Sequence, residues 1–182
     1  MTVKGAVHRR EHYADDKLHG LFEELDVNSN AWIVSGHYER DKRHGMWERF
    51  YPHGTPLDIV HFEHDLRHGA LKAFYENGQE KAVGAFTSDK KDGQWQEFHQ
   101  NGNLKSELNY ANDQLQGSAR YFHSNGKVES TGPYLRQRKE GLWKVYWPNG
   151  KLRRQGNYLR GNETGEWSEY DQFGKLITTR HY

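Results

Sequence analysis

The sequence predicts an all-β fold, an elongated and twisted antiparallel sheet of tandem β-hairpins. A glycine recurs at a nearly fixed interval, aromatic residues follow it at constant offsets, and a second glycine stands within almost every interval. A fixed period of about 20–50 residues indicates one small structural unit stacked on copies of itself. No segment shows a sustained apolar stripe with the period of a helix, so we expect strands and turns throughout.

The recurring glycine sets the boundaries of the units. The first interval is 25 residues and each later interval is 24 residues. The glycines that open the units are Gly20, Gly45, Gly69, Gly93, Gly117, Gly141 and Gly165. We therefore interpret residues 1–182 as a single array of about seven units, with an incoming strand over residues 7–19 and no internal domain boundary.

The first strand of each unit carries two apolar positions, two and five residues after the opening glycine. The earlier position holds Phe22, Trp47, Leu71, Trp95, Ala119, Trp143 and Trp167. Because the two positions differ by three, simple alternation would place them on opposite faces of the strand. Either a β-bulge near the glycine realigns them, or both faces of this strand carry aromatic residues.

Two kinds of turn alternate along the chain. A second glycine stands nine residues after the opening glycine and often follows asparagine, as in Asn149-Gly150. An Asn-Gly pair predicts a tight hairpin turn, because both residues tolerate positive φ. We expect the polar turn at the opening glycine to be looser. The first unit departs from this pattern, with Asn28-Ser29-Asn30 at its turn and one inserted residue.

The composition excludes several classes of function. Hydrophobic residues make up 34% of the chain and the mean hydropathy is −1.14, whereas 14% of residues are aromatic, which favours a lightly packed sheet with aromatic ladders. The net charge is +1 without a basic stripe, so no nucleic-acid partner is expected. Cysteine is absent, which excludes disulfides and thiolate chemistry. Without a transmembrane run or signal peptide, a cytoplasmic protein is expected.

One unit shows the motif most completely, as Gly141-Leu-Trp143-Lys-Val-Tyr146-Trp-Pro148-Asn149-Gly150 followed by Gly156-Asn-Tyr158. This order resembles the MORN repeat (membrane occupation and recognition nexus), and most closely its bacterial variant. The resemblance extends over residues 7–182 and implies an array of β-hairpins. The chain departs from the family pattern where Leu71 and Ala119 replace tryptophan, and where Pro56 and Glu80 take a usually apolar position, so we expect those units to be thinner or locally bent.

The resemblance also implies a class of function. Bacterial chains of this type resemble MORN-repeat antitoxins, which neutralise a toxin by binding it, and eukaryotic relatives are linked to phospholipid membranes, dimerisation and scaffolding. A non-catalytic protein-binding module of the antitoxin or immunity type is therefore expected, with a toxin or effector as partner. The alternative is a peripheral membrane or scaffold module. A membrane binder would be expected to carry a basic stripe, and the chain's interspersed charges tell against it.

Histidine is unusually frequent in the first half of the chain. Nine of the twelve histidines lie within the first 68 residues. Equivalent positions in adjacent hairpins lie about 9–10 Å apart, too far for one zinc ion to bridge at bonds of about 2.0–2.1 Å. A site that combines His61, His64 and His68 is the open alternative, but we predict solvated histidines, no metal ligand and no cofactor. Protonation near pH 6.5 is expected to make this half positive and to change partner affinity there.

No motif of an enzyme is present. The sequence lacks a Gly-x-Ser-x-Gly elbow, a phosphate-binding loop and a His-Glu-x-x-His motif. Acidic residues such as Glu23, Glu24 and Asp26 occupy polar positions of the repeat, where charged residues usually form a solvated face. We therefore predict no catalytic residue and no enzymatic activity.

The candidate partner-binding residues occupy the position six residues after the opening glycine. It holds Tyr51, Tyr75, His99, His123 and Trp147 in successive units, and Asp171 in the last. The position varies while it stays aromatic in several units, and exposed aromatic side chains suit an interface. The alternative is that these side chains cover the second face of the sheet. The two outer strands leave open edges, so a homodimer through strand pairing is expected as well.

Overall fold

The computed structural model describes residues 7–26, 29 and 31–182. The chain divides into two units, residues 1–90 and residues 91–182. In both units the strands follow in chain order as an antiparallel sheet of hairpins, and no helix occurs in the described residues. The prediction of an all-β hairpin array is therefore confirmed. Asn28 and Asn30 of the irregular first turn lie outside the described residues.

The strands of the first unit are β1 (Val7–Arg10), β2 (Tyr13–Ala14), β3 (Lys17–Leu18), β4 (Gly20–Asp26), β5 (Ala31–Glu39), β6 (Lys42–Phe50), β7 (Pro56–Glu63), β8 (Leu66–Phe74) and β9 (Glu80–Thr87). Strand β1 pairs with β4, whereas β2 and β3 form a separate two-stranded sheet. Residues 7–19 thus contain three short strands where the sequence predicted one incoming strand.

The second unit continues the same alternation of strand and turn. Its strands are β10 (Lys90–Phe98), β11 (Leu104–Ala111), β12 (Gln114–Phe122), β13 (Val128–Leu135), β14 (Arg138–Lys139), β15 (Gly141–Tyr146), β16 (Leu152–Leu159), β17 (Asn162–Tyr170) and β18 (Leu176–His181). Strand β13 pairs with both β14 and β15, which are separated by Glu140. The remaining pairs join strands that follow one another in the sequence, from β10 to β13 and from β15 to β18.

The turn that precedes each opening glycine is the tighter of the two kinds. Its two central residues both have positive φ, as at Arg40 and Asp41, or Asn112 and Asp113. Two positive φ values identify a two-residue type I′ turn, whose twist matches that of the flanking strands. The expectation of a looser turn here is wrong. A two-residue turn forms because residues such as Arg40 and Asp41 adopt the left-handed conformation.

The turn at the second glycine is a three-residue loop. The amide of Gly150 donates to the carbonyl of Trp147 (2.7 Å), and the amide of Trp147 donates to the carbonyl of Lys151 (2.9 Å). Only Gly150 has positive φ, at 89°, whereas Asn149 does not. This is a type I turn closed by a left-handed glycine. The Asn-Gly pairs therefore make hairpins as predicted, but with a different turn.

Both faces of the first strand carry aromatic residues. Ala119 belongs to the buried cluster, and its neighbour Arg120 points to the opposite face because strand residues alternate. The guanidinium of Arg120 lies 5.7 Å from the ring centre of Phe122, which therefore shares the face of Arg120. The register shifts between Tyr121 and Phe122 and again opposite the opening glycine, but these bulges do not bring the two apolar positions together.

The core consists of tryptophan rings that lie over glycines of the preceding strand. Trp143 and Trp167 are each 1% exposed. A Cβ built on Gly132 or on Gly156 would overlap the ring of Trp143 or Trp167, respectively. Each ring therefore needs a glycine opposite it, and this requirement ties one hairpin to the next.

The units without tryptophan are filled by a different pair of residues. Ala119 is paired across the sheet with Leu108, and Leu71 with Val60. Leu108 and Ala119 are 9% and 1% exposed. At both of these positions a larger side chain thus replaces the facing glycine. The expectation of thinner units is corrected, because the volume moves across the strand pair instead of disappearing.

Candidate functional site

The predicted partner-binding residues occupy the same position at the three-residue loops, two of them in the first unit and three in the second. Four of them make a hydrogen bond to the carbonyl of a residue 23 positions later, in the next hairpin. The Tyr51 hydroxyl donates to Phe74 O (3.0 Å), and the Trp147 indole donates to Tyr170 O (3.1 Å). The Nε2 atoms of His99 and His123 lie 3.1 Å and 3.0 Å from Phe122 O and Tyr146 O. All four side chains are half-buried.

The fifth residue of the row, Tyr75, is half-buried as well. Its amide donates to Gln79 O (2.8 Å), and the Lys81 ammonium lies 5.8 Å from its ring centre. Asp171 takes the same place in the last hairpin and accepts from the amides of Phe173 and Lys175 (2.9 Å each). These amides lower the pKa of Asp171, first of all that of Lys175. We call Tyr51, Tyr75, His99, His123 and Trp147 the loop row.

A second polar row at the same loops was not predicted from the sequence. Asn125 Nδ2 donates to Pro148 O and Asn149 Nδ2 donates to Gln172 O, both at 2.8 Å. Their side-chain oxygens accept from the backbone of the same loop, as in Lys151 N to Asn149 Oδ1 at 2.9 Å. The recurrent Asn-Gly pair indicates these residues in retrospect, because asparagine supplies both a donor and an acceptor.

The type I′ turns are connected from hairpin to hairpin by aspartate. Asp65 Oδ1 accepts from the amide of Arg43 (2.9 Å), and Asp113 Oδ1 accepts from the amide of Lys91 (2.7 Å). The amide of each aspartate donates back, to Arg43 O (3.1 Å) and Lys91 O (2.9 Å). Both margins of the sheet are therefore held by side chains that satisfy backbone groups of the neighbouring hairpin.

Cations lie over aromatic rings on the tryptophan face. Arg43 and Arg67 lie 4.1 Å and 4.0 Å from the ring centres of Phe62 and Phe86, and Lys139 lies 4.2 Å from that of Trp143. Burial lowers the pKa of Lys139. In the last hairpin Glu163 occupies the equivalent place, and Arg154 supplies the cation over Trp167 at 4.1 Å. These are cation–π contacts at the repeat spacing.

A groove of about 300 Å³ opens on this face in the first unit. Trp47, Val60 and Leu71 are among its apolar lining residues. Arg43, Arg49, Arg67 and Asp58 supply its charged groups. We call it the first-unit groove. It lies apart from the loop row, none of whose residues lines it.

The histidines of the first half make separate contacts. His61 Nδ1 lies 3.4 Å from Ala70 O, His68 Nδ1 lies 3.8 Å from Glu63, and the ring of His64 meets that of His44 edge-on at 6.0 Å. Within the described ranges no group of three or more histidine, aspartate or glutamate side chains is placed to hold a metal ion. His61, His64 and His68 are thus not brought together as a metal site.

The family of the repeats follows from a comparison with protein-family models. The model described as "MORN repeat variant" matches residues 91–112, 115–135, 139–159 and 163–182. Residues 91–182 carry MORN repeats. The matched segments begin and end within one or two residues of the paired strands described above, so family repeat and structural hairpin coincide in the second unit. A comparison with curated proteins found no match.

Solved structures share only a weak likeness with this chain. A Glycosylation Associate Protein complex from Streptococcus agalactiae is 18% identical over 56% of this chain, with a TM-score of 0.33. A GtfA/B complex bound to UDP and GlcNAc is 13% identical over 63%, and TarM is 12% identical over 70%, both with TM-scores of 0.26. The chain spans about a fifth of those chains (18%, 22% and 19%).

Proposed function

We propose that this chain is a non-catalytic protein-binding module of the antitoxin or immunity type, which masks a toxin or effector by occupying its surface. The observation that carries the proposal is the loop row, in which half-exposed rings recur at the repeat spacing and are held by hydrogen bonds to the next hairpin. The proposal has two parts. The general part, protein binding, rests on the loop row, and the more specific part, the antitoxin class, rests on the resemblance of the repeats.

Fixed rings are suited to a binding surface. Binding normally immobilises side chains at a cost of about 0.5–1.5 kcal/mol for each flexible one. Tyr51 and Trp147 are already held by their polar atoms, at 3.0 Å and 3.1 Å from the accepting carbonyls. Their rings can therefore contact a partner with little further loss of conformational entropy, which is the reason that tyrosine and tryptophan are frequent in binding surfaces.

The alternative is a peripheral membrane or scaffold module, and the cations over aromatic rings are the observation that favours it. However, Arg43 pairs with Asp65 and Arg67 with Asp89, at 3.2 Å and 2.8 Å, so these two arginines do not contribute to an unpaired basic stripe. No helix in the described part of the chain has the length and hydropathy needed to cross a bilayer. A cytoplasmic location and a homodimer through strand pairing remain parts of the proposal.

The test is affinity capture of the tagged chain from its source lysate, with flotation on phosphatidylserine vesicles in parallel. We expect one stoichiometric protein partner, and at least a tenfold loss of affinity for the double variant Tyr51→Ala, Trp147→Ala. The matched control is Tyr13→Ala, Phe173→Ala, which removes two aromatic rings that are 61% and 76% exposed outside the loop row. Flotation without a protein partner, or equal losses in both double variants, would contradict the proposal.

A further inference from the structure

Three lysines recur at the three-residue loops of the second unit. Lys127, Lys151 and Lys175 each follow the loop glycine directly and stand one repeat apart. The ammonium of Lys127 donates to Asn149 O and that of Lys151 donates to Phe173 O, both at 2.8 Å. Each of these two side chains is therefore held along the loop of the next hairpin. We call Lys127, Lys151 and Lys175 the lysine ladder.

The charge of the lysine ladder is not cancelled by neighbouring carboxylates. The three loop segments, residues 123–129, 147–153 and 171–177, contain four basic and two acidic residues, which gives them a net charge of +2. In the part of the second unit that the structure describes, the ion pairs join Lys105, Arg120 and Arg154 to glutamates and include no lysine of the ladder. The carbonyls that orient the ammoniums carry no net charge, so the ladder can still attract an anionic ligand.

A groove of about 510 Å³ opens beside Lys127. Arg120, which points away from the buried tryptophans, and Tyr146 are among its lining residues, so the groove lies on the face opposite the tryptophans. Tyr146 belongs to a column of half-buried aromatic residues that stand five positions after the opening glycine. We call Phe98, Phe122, Tyr146 and Tyr170 the ring column. The groove thus brings a cation of the ladder and a ring of the column together.

The lysine ladder and the ring column share an interval that matches one turn of a polyproline II helix. Equivalent positions in adjacent hairpins are two strand spacings apart, about 9–10 Å. A polyproline II helix has three residues per turn and rises about 3.1 Å per residue, hence about 9 Å per turn. Residues three apart in such a helix lie on the same side, whereas in a β-strand they point to opposite faces. A polyproline II segment that lies across the strands can therefore present one residue of each turn to successive lysines.

We propose that the lysine ladder and the adjoining groove bind a polyproline II segment of a partner protein that carries an acidic residue at every third position and prolines between them. Each carboxylate meets one ammonium, and the prolines pack on Tyr146 and the rings beside it. The inference rests on the proposed function, because the ligand is a segment of the bound protein, but none of the loop-row residues lines this groove. A polyproline II segment is already extended before it binds, so it loses little conformational entropy in an aromatic groove.

A protein segment accounts for the fixed interval better than a lipid surface does. An anionic bilayer attracts any exposed cation near its surface and imposes no interval on the cations. Lys127 and Lys151 are instead held along the neighbouring loops, 2.8 Å from a backbone carbonyl. Binding that depends on the spacing of the acidic residues therefore distinguishes a protein segment from a lipid surface.

The experiment is fluorescence polarisation with the full chain and three labelled nonapeptides. The first peptide is three copies of Glu-Pro-Pro, the second has the same composition with its three glutamates adjacent, and the third is three copies of Lys-Pro-Pro. We expect at least fivefold tighter binding of the first peptide than of the second, and no binding of the third. The triple variant Lys127→Gln, Lys151→Gln, Lys175→Gln should weaken the first peptide's binding at least tenfold. The variant keeps a donor at each position, and Gln79 and Asn103 occupy this position in other hairpins, so the fold tolerates it.

Further variants separate a specific contact from a general loss of charge or fold. Arg136→Gln, Arg138→Gln, Arg160→Gln removes three cations at the type I′ turns of the same unit and should leave binding unchanged. Tyr146→Phe keeps the ring in the groove and should retain binding within about twofold, whereas Tyr146→Ala should weaken it at least fivefold. Far-UV circular dichroism of each variant identifies any variant that fails to fold.

Absence of binding by the first peptide, equal binding of the first and second peptides, or binding that survives the triple lysine variant would overturn the proposal. So would flotation on phosphatidylserine vesicles that depends on the ladder while no peptide binds. If the captured protein binds the wild-type chain and the triple lysine variant equally, the ladder proposal fails and the proposed function stands. If no protein is captured but the first peptide binds with the expected dependence on the ladder, the proposed function fails and the ladder assignment stands.

Discussion

The indole ring of Trp143 covers Gly132 so closely that a Cβ at position 132 would overlap the ring. One hairpin earlier the same two places hold Leu108 and Ala119, both buried and paired across the strands. The combined volume of the two side chains is thus kept roughly constant, but the larger side chain stands on the second strand of the pair in one hairpin and on the first strand in the other. Volume-conserving exchanges are the core substitutions that proteins tolerate best.

This relationship predicts that a larger residue at position 132 and a smaller one at position 143 are tolerated only when the two substitutions are combined. Gly132 lies outside the left-handed region, so a larger residue there meets the ring and not a backbone restriction. Gly132→Leu should cost about 1–3 kcal/mol through overpacking, and Trp143→Ala about 3–5 kcal/mol through the cavity that it leaves. The double variant should recover about 1–3 kcal/mol of the summed loss, measured by urea unfolding with circular dichroism. Strictly additive losses would show that the two positions are independent.

The aspartates in the type I′ turns predict a second effect on stability. Asp113 accepts from the amide of Lys91 at 2.7 Å and has a φ of 67°. Asp113→Ala removes the acceptor and places alanine in a left-handed conformation, so we expect a loss of about 1–3 kcal/mol. Asp113→Asn keeps an acceptor and a residue that tolerates this conformation, and should stay within about 0.5 kcal/mol of the wild type. Equal losses in the two variants would assign the effect to the charge.

The period, the hairpin order and the column of tryptophans could be predicted because they depend only on intervals in the sequence. The turn types could not, since Arg136 and Gln137 have positive φ without any glycine or asparagine to indicate it. The left-handed conformation there is imposed by a two-residue connection between twisted strands. The sequence showed Ala119 as a departure from the pattern, but it did not show that Leu108 compensates for it, because the register that joins the two residues comes from the structure.

The candidate site was predicted as a set of positions but not as a set of contacts. The recurrence of aromatic residues at the position of Tyr51 and Trp147 identified the loop row. Its hydrogen bonds to Phe74 O and Tyr170 O depend on which carbonyl lies opposite in the next hairpin, and a sequence period does not give this. The first-unit groove escaped prediction for the same reason, since its lining residues Arg49 and Asp58 meet only through strand register.

The ion pair of the last hairpin predicts a dependence of stability on acid. Arg154 donates to both carboxylate oxygens of Glu163 (2.6 Å and 2.8 Å), and this hydrogen bonding lowers the pKa of Glu163. A carboxylate with a lowered pKa in the folded state contributes stability above its unfolded pKa of about 4.3. That contribution is lost as the pH falls through the folded pKa.

Glu163→Gln should therefore be less stable than the wild type at pH 7, and the difference should shrink as the pH falls below about 4.3. Chemical unfolding at intervals between pH 7 and pH 2.5 measures the difference. Glu166→Gln removes the same charge from an exposed position of the same strand and serves as the matched control. A difference that stays constant across this range would show that the charge of Glu163 does not contribute.

The loop row predicts that the stability and binding roles of Tyr51 are separable. Tyr51→Phe removes only the hydroxyl that donates to Phe74 O, so we expect a loss of about 0.5–1.5 kcal/mol in the free energy of unfolding. The ring remains in place, and affinity for the captured partner should fall less than threefold. Tyr51→Ala removes the ring as well and should weaken binding much more than Tyr51→Phe does. Equal affinity losses in both variants would show that the hydroxyl, and hence the orientation of the ring, governs recognition. Wild-type affinity in both would restrict Tyr51 to holding one hairpin against the next.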